Sequence, residues 1–237
     1  MKLVFIDETS DDKFKDYFGL CMSLIDHTHY AILKEEFHKI LNKSKWNVDI
    51  EFKGQYLFSA KSGDINVPID ERIEICKKII DLTASKRNSR AKFFYTSKRD
   101  IQNQKEEYLR SIPLLLSKAL PKAPTGPGKN IIAMNFDSRK DVDYKEIRQV
   151  ACPVLRDKGY VLFEDIVLRE SCYETIGILY TDIIAYLVAR VETIGNDSEL
   201  FASIPPEELE NNGKFRKLKS STELIERVKS FEIKKIK

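Results

Sequence analysis

The chain has 237 residues, a formal net charge of +3, only 9 glycines and 8 prolines, and a composition of 42% hydrophobic and 32% charged residues. These values belong to a folded globular chain and exclude a collagenous, low-complexity or disordered one, while the near balance of charge gives no bulk electrostatic case for nucleic-acid binding. The distribution is less even: Lys86, Arg87, Arg90, Lys92, Lys98 and Arg99 share one acid-free stretch, and residues 214–237 are strongly basic.

Leu3–Ile6 is a continuous apolar, β-rich run, the pattern of a strand covered on both faces. A polar turn over Asp7–Asp16 is expected next, with Tyr17–Ile25 as a hairpin partner. Ile32, Leu33, Phe37, Ile40 and Leu41 predict a helix over Tyr30–Asn42. Val48–Phe58 reads as a strand, Asp70–Leu82 as a second helix and Lys92–Thr96 as a short core strand. Gln104–Leu120 reads as a third helix that Pro113 should kink or break. Pro121–Gly128 is too rich in proline and glycine for regular structure and is expected to be an exposed loop. Then come a strand over Ile131–Asp137, a helix over Tyr144–Leu155, a strand over Tyr160–Leu168 and the longest helix, Tyr173–Glu192. A basic amphipathic helix is expected over Leu218–Ile236. The alternation predicts an α/β fold, a mixed sheet with an antiparallel start flanked by helices. Residues 1–192 form one domain in this reading, and residues 193–237 a basic C-terminal extension packed on it or trailing from it.

Cys21, Cys76, Cys152 and Cys172 form no CxxC pair and sit in apolar neighbourhoods, which points to reduced thiols and a cytoplasmic protein. The apolar run at the start is too short for a secretory signal. The longest apolar stretch, Ile176–Ala189, falls short of the ~18 residues of a membrane span and contains Asp182, so no membrane association is expected.

Gly126-Pro-Gly-Lys129-Asn130 fails as a phosphate loop, because the first glycine and the Ser/Thr are missing and a strand follows where a helix is needed. His27, His29 and His38 lack a further ligand at zinc spacing. The acids are more informative. Asp7 and Glu8 end a buried strand, Asp137 ends another, and Asp182 shares a helix face with Ile178, Leu179, Ala185 and Tyr186 that should pack on the sheet. Buried carboxylates need a cation, an arginine or several donors. Asp on the first strand, on a later strand end and on a late helix resembles the order of the ribonuclease H-like fold, whose acids converge to hold divalent cations. Glu51, in Ile50-Glu51-Phe52-Lys53-Gly54, adds a fourth acid or forms the ExK pair of a different nuclease core. Carboxylates without His or Cys select Mg²⁺ or Mn²⁺.

Phe5-Ile6-Asp7-Glu8-Thr9 and, far downstream, Ser171 and Gly177-Ile178-Leu179-Tyr180-Thr181-Asp182-Ile183-Ile184-Ala185-Tyr186 resemble the DUF3800 family, whose marks are an N-terminal DE pair and a C-terminal QxxD. The resemblance spans Met1 to about Glu192. It implies a ribonuclease H-like, divalent-metal-dependent nuclease acting in defence or on mobile elements. Asp7, Asp137, Asp182 and Glu51 would hold Mg²⁺ or Mn²⁺, Glu8 would complete the site, and Lys53 would neutralise developing charge. Lys86, Arg87, Arg90, Lys98 and Arg99 would grip RNA or DNA. The family's Gln is Leu179 here and its usual Ser is Thr9. Leu179 opens the alternative of a non-catalytic protein with a degenerate site that binds nucleic acid, a protein partner or a second copy of itself.

Overall fold

The computed structural model describes residues 1–11, 14–59, 65–84, 91–194, 205, 213–229 and 233–237. Strands β1 (Lys2–Asp11) and β2 (Phe14–Asp26) form an antiparallel hairpin whose register runs from Lys2↔Asp26 to Ser10↔Phe18 before a bulge. β3 (Ala91–Lys98) pairs antiparallel with β2, and β4 (Ile131–Asp137) pairs parallel with β1. Two short strands, β5 (Val161–Leu162) and β6 (Val167–Arg169), both add to β4, and β7 (Ile233–Lys235) adds to β3. The order is β5-β4-β1-β2-β3-β7, with β6 beside β4. Three antiparallel strands, with β4 parallel to β1 on its other side, give the mixed sheet with an antiparallel start expected from the sequence.

Both faces of this sheet are buried, as the unbroken run Leu3–Ile6 requires. Phe5, Cys21, Ile25 and Phe93 face α1 (His27–Lys43), α2 (Ile69–Ala84) and α5 (Ile176–Ile194), a layer that also takes Leu224 and Ile225 of α6 (Gly213–Lys229). Val4, Ile6, Met22, Phe94, Met134 and Phe136 face α3 (Gln104–Ala119) and α4 (Tyr144–Asp157). α5 reaches the sheet because Gly177 has no side chain: a Cβ there would stand 2.3 Å from Phe5 Cε1. One turn on, Thr181 Oγ1 lies 2.7 Å from Ser23 Oγ and fixes α5 to β2.

Several local expectations need correction. The polar segment after Ile6 is strand rather than turn, since pairing Asp7 with Cys21 and Glu8 with Leu20 satisfies backbone groups that a long loop would leave to water. Val48–Phe58 is a loop ending in a 3₁₀ turn, Gly54–Leu57. Its apolar residues Phe52, Leu57 and Phe58 are buried as anchors, not as alternate positions of a ladder. Tyr160–Leu168 breaks into β5 and β6. α3 runs through Pro113 without a break. The basic C-terminal segment is helix α6 plus β7, not one helix to Ile236. Cys172 is exposed, unlike buried Cys21 and Cys76, and all four thiols are free. Among the described residues no helix is long and apolar enough to cross a membrane.

Candidate acidic site at the strand ends

The parallel ladder between β1 and β4 stops at Ile6↔Phe136, so Asp7 and Asp137 are the next residues on neighbouring strands. Strand alternation puts Asp7 on the same face as Phe5, and Asp137 on the same face as Asn135, both toward α5. Asp7 is 4% exposed. Burial, and then the charges of Asp182, Glu8 and Asp137, push its carboxyl well above the ordinary range. Asp137 is raised by burial, against the opposing pull of a 3.2 Å hydrogen bond from Ser171 Oγ and of Lys53.

Asp182 arrives from α5, on a part-buried stripe with Tyr186 and Arg190. Sequence spacing placed this face on the sheet, but Gly177 and Thr181 make that contact and Asp182 turns to the 51–58 loop. There its Oδ2 accepts the backbone N–H of Gly54 at 2.6 Å. Tyr186 stacks on Phe58 at 6.3 Å between ring centres. Burial raises Asp182 to about 6, with Glu51 and Asp137 adding to the effect and Gly54 and Lys53 opposing it.

The same loop delivers Glu51 and Lys53, whose Oε2 and Nζ are 2.9 Å apart. Burial works against the charge on Lys53, but Glu51, Asp182 and Asp137 outweigh it and hold its pKa above the usual value. Asp7, Asp137, Asp182, Glu51 and Lys53 are therefore one electrostatic cluster. Glu8 is different. It alternates to the α3 side, where its Oε1 accepts from Arg139 at 2.8 Å while Arg139 also pairs with Asp141 and lies 4.9 Å above the Tyr108 ring. Burial raises Glu8 to about 7, in spite of Arg139.

The donor chemistry suits a hard divalent cation. Glu8 Oε2 and Glu51 Oε1 are buried and have no hydrogen-bond partner among the described residues, and the carboxylates of the cluster raise one another's pKa. A ready-made shell is absent: among the described residues, no three His, Cys, Asp or Glu side chains stand in an ion-holding arrangement. Lys53 supplies positive charge to the cluster as it stands.

No family profile matches the chain, and no curated protein does. Among solved structures it is similar to ribonuclease H2 of Pyrococcus horikoshii OT3, with 14% identity over 97% of this chain and 99% of that one, at a TM-score of 0.49. It is similar also to RNase HII of Archaeoglobus fulgidus, solved as a complex with PCNA, with 11% identity over 98% and 94% of the two chains and a TM-score of 0.46.

Lys86, Arg87 and Arg90 lie outside the described residues. Lys98 pairs with Glu107 at 3.0 Å and Arg99 donates to the carbonyl of Glu192 at 2.8 Å; they lie at and just past the C-terminal end of β3, the end of the sheet that β1 reaches beyond Asp7, two strands away from it. Phe93 and Phe94 are core residues, as expected. Each histidine has a hydrogen-bond partner, His27 on the Met1 carbonyl, His29 on the Thr28 hydroxyl and His38 on the Tyr173 carbonyl. Leu179 is fully buried in the apolar layer under α5. Sequence reasoning missed Gly54 and Arg139, and picked out Ser171 only as part of the family resemblance, without its contact to Asp137. A glycine directly after Glu51-Phe-Lys53 in a glycine-poor chain is the one signal that pointed to close backbone approach.

Proposed function

We propose that the chain is a divalent-cation-dependent nuclease that hydrolyses phosphodiester bonds of RNA or DNA. The observation that supports this reading is the convergence of Asp7, Asp137 and Asp182 from two strand ends and a helix, three carboxylates held in mutual repulsion in a largely buried place. Such a concentration of strained carboxylates marks functional sites more often than structural ones. Asp7, Asp137, Asp182 and Glu51 would hold Mg²⁺ or Mn²⁺. Bound there, the ion would activate a water and stabilise charge on a phosphoryl oxygen.

The chain's own groups do the rest. Gly54 N–H fixes the Asp182 carboxylate, and Ser171 fixes that of Asp137. Lys53 stays protonated and offers its ammonium to a phosphate oxygen. Arg139 keeps Glu8 in place at the edge of the cluster. Four unpaired thiols agree with a cytoplasmic setting.

The degenerate, non-catalytic reading draws on the missing ready-made ion arrangement and on Lys53 amid the acids. Calorimetric titration with Mn²⁺, together with cleavage of labelled RNA, DNA and hybrid oligonucleotides, separates the two. Wild type should bind Mn²⁺ and cleave; Asp7→Asn and Asp182→Asn, folded by melting temperature, should do neither. Loss on Glu51→Gln with full activity in Asp182→Asn would move the chemistry to the Glu51–Lys53 pair. A wild type that binds no Mn²⁺ and cleaves nothing would favour the binding module.

A further inference from the structure

A groove of about 290 Å³ lies on the α5-facing side of β4, lined by Ala133, Asn135, Leu3, Phe5 and Tyr30 and by Phe163, which is 53% exposed. It begins two residues from Asp137 on the same strand face, roughly 6.6 Å along the strand. Arg169 stands in this groove and is the register partner of Asp137 across the β4–β6 pair.

Arg169 is oriented with some care. Its Nε donates to Asn135 Oδ1 at 2.6 Å, and Asn135, itself 5% exposed, is held by donating Nδ2 to the Val4 carbonyl at 3.2 Å. The buried amide therefore points the guanidinium plane into the groove. Nη1 and Nη2 have no partner among the described residues. The other base of the groove, Lys34, is occupied by Glu174 at 2.6 Å. A planar fork presenting two donors from a fixed stem matches two oxygens of one phosphate, a geometry that an ammonium does not reproduce.

We propose that Arg169 binds a phosphodiester of the nucleic-acid strand close to the scissile one, and that the groove takes the adjoining nucleotide with Phe163 as a stacking surface. This rests on the nuclease reading above. Backbone charges recur about every 3.4 Å of helix axis along a strand, so a phosphate at Arg169 and one at Asp137 belong to nearby nucleotides of the same strand. Stacking on an exposed aromatic ring tolerates any base. The subsite is therefore selective for a phosphodiester strand and indifferent to sequence.

Fluorescence anisotropy with short labelled single-stranded RNA, single-stranded DNA and an RNA/DNA hybrid tests this in EDTA between about 50 and 200 mM salt. Arg169→Ala should weaken all polymers that wild type binds about tenfold, while the protein stays folded with a somewhat lowered melting temperature, because the buried Asn135 Oδ1 loses its donor. The slope of log affinity against log salt should fall by roughly 0.7–0.9, one phosphate contact. Arg169→Lys should keep the slope and lose part of the affinity. Wild-type affinity and slope in Arg169→Ala, or a loss confined to one polymer among several bound, would overturn the subsite and leave the nuclease reading standing on its Mn²⁺-dependent cleavage. A wild type that binds none of the three at about 50 mM salt would overturn the subsite as well, and the nuclease reading would again be decided by Mn²⁺-dependent cleavage.

Discussion

The backbone N–H of Gly54 donates to Asp182 Oδ2 at 2.6 Å, and a Cβ on Gly54 would lie 2.4 Å from Tyr186 Cβ, one turn further along the same helix. The contact joins the loop that carries Glu51 and Lys53 to the helix that carries Asp182. Only a residue without a side chain lets the backbone come close enough to make it. Gly54→Ala should therefore push the loop from α5, lengthen this hydrogen bond and cost about 1–3 kcal/mol, as overpacking does. Urea unfolding measures the loss. Mn²⁺ binding should weaken as well, more than in a variant of equal stability altered in α4.

The acids predict an inverted pH dependence for the metal-free protein. Glu8 is raised to about 7 and Asp182 to about 6 in the fold, while Asp7 and Asp137 are raised as well. An acid with a raised folded pKa binds more protons folded than unfolded, so its stabilisation is complete below the unfolded value and is lost as pH rises through the folded one. In EDTA the protein should thus be more stable at about pH 5.5 than at about pH 8, by on the order of 2 kcal/mol. Millimolar Mn²⁺ should restore stability at the higher pH, by about 2.7 kcal/mol at a hundred times its dissociation constant. Melting curves at both pH values, with and without Mn²⁺, check the sign; an apo protein more stable at the higher pH contradicts it.

Glu8 and Arg139 are a largely buried pair, with side chains 18% and 11% exposed. Removing only the cation leaves a carboxylate without compensation, a loss of about 3–5 kcal/mol for a buried pair. Arg139→Met should show most of that loss at about pH 8 and much less at about pH 5.5, where Glu8 takes a proton. Glu8→Gln in the same chain should recover stability at the higher pH. Denaturant midpoints of the two single variants and the double variant measure the coupling.

Much of this arrangement was legible in the sequence. β4 occupies the expected Ile131–Asp137, and the acids that end β1's apolar run and β4 do become neighbours, because parallel pairing aligns Ile6 with Phe136. The Val48–Phe58 segment was not legible as a loop. Its apolar residues Phe52, Leu57 and Phe58 are anchors in a core built from distant elements, a packing that has no period of its own, and Trp46 Nε1 closes the segment locally on the Ile50 carbonyl at 2.6 Å. Asp182 was identified but its face was not, since helical spacing cannot tell that Gly177 takes the sheet contact and turns the stripe Asp182, Tyr186, Arg190 toward the loop. Arg139 and Arg169 escaped because each is defined by a partner far away in sequence, Glu8 and Asn135.

Leu179 is where the resemblance to a glutamine-bearing motif and the packing of this chain disagree, and substitution decides between them. The side chain is fully buried in the layer of Phe37, Leu41, Ile183 and Tyr180. An amide placed there without partners loses its hydrogen bonds to water, at about 1–3 kcal/mol. Leu179→Gln should therefore lower stability by that amount and leave Mn²⁺-dependent cleavage no faster than in wild type. The measurement is a denaturation curve beside a cleavage rate at saturating Mn²⁺. A faster rate in the variant would mean that the leucine had removed a positioning group, and that the natural chain holds a weakened site.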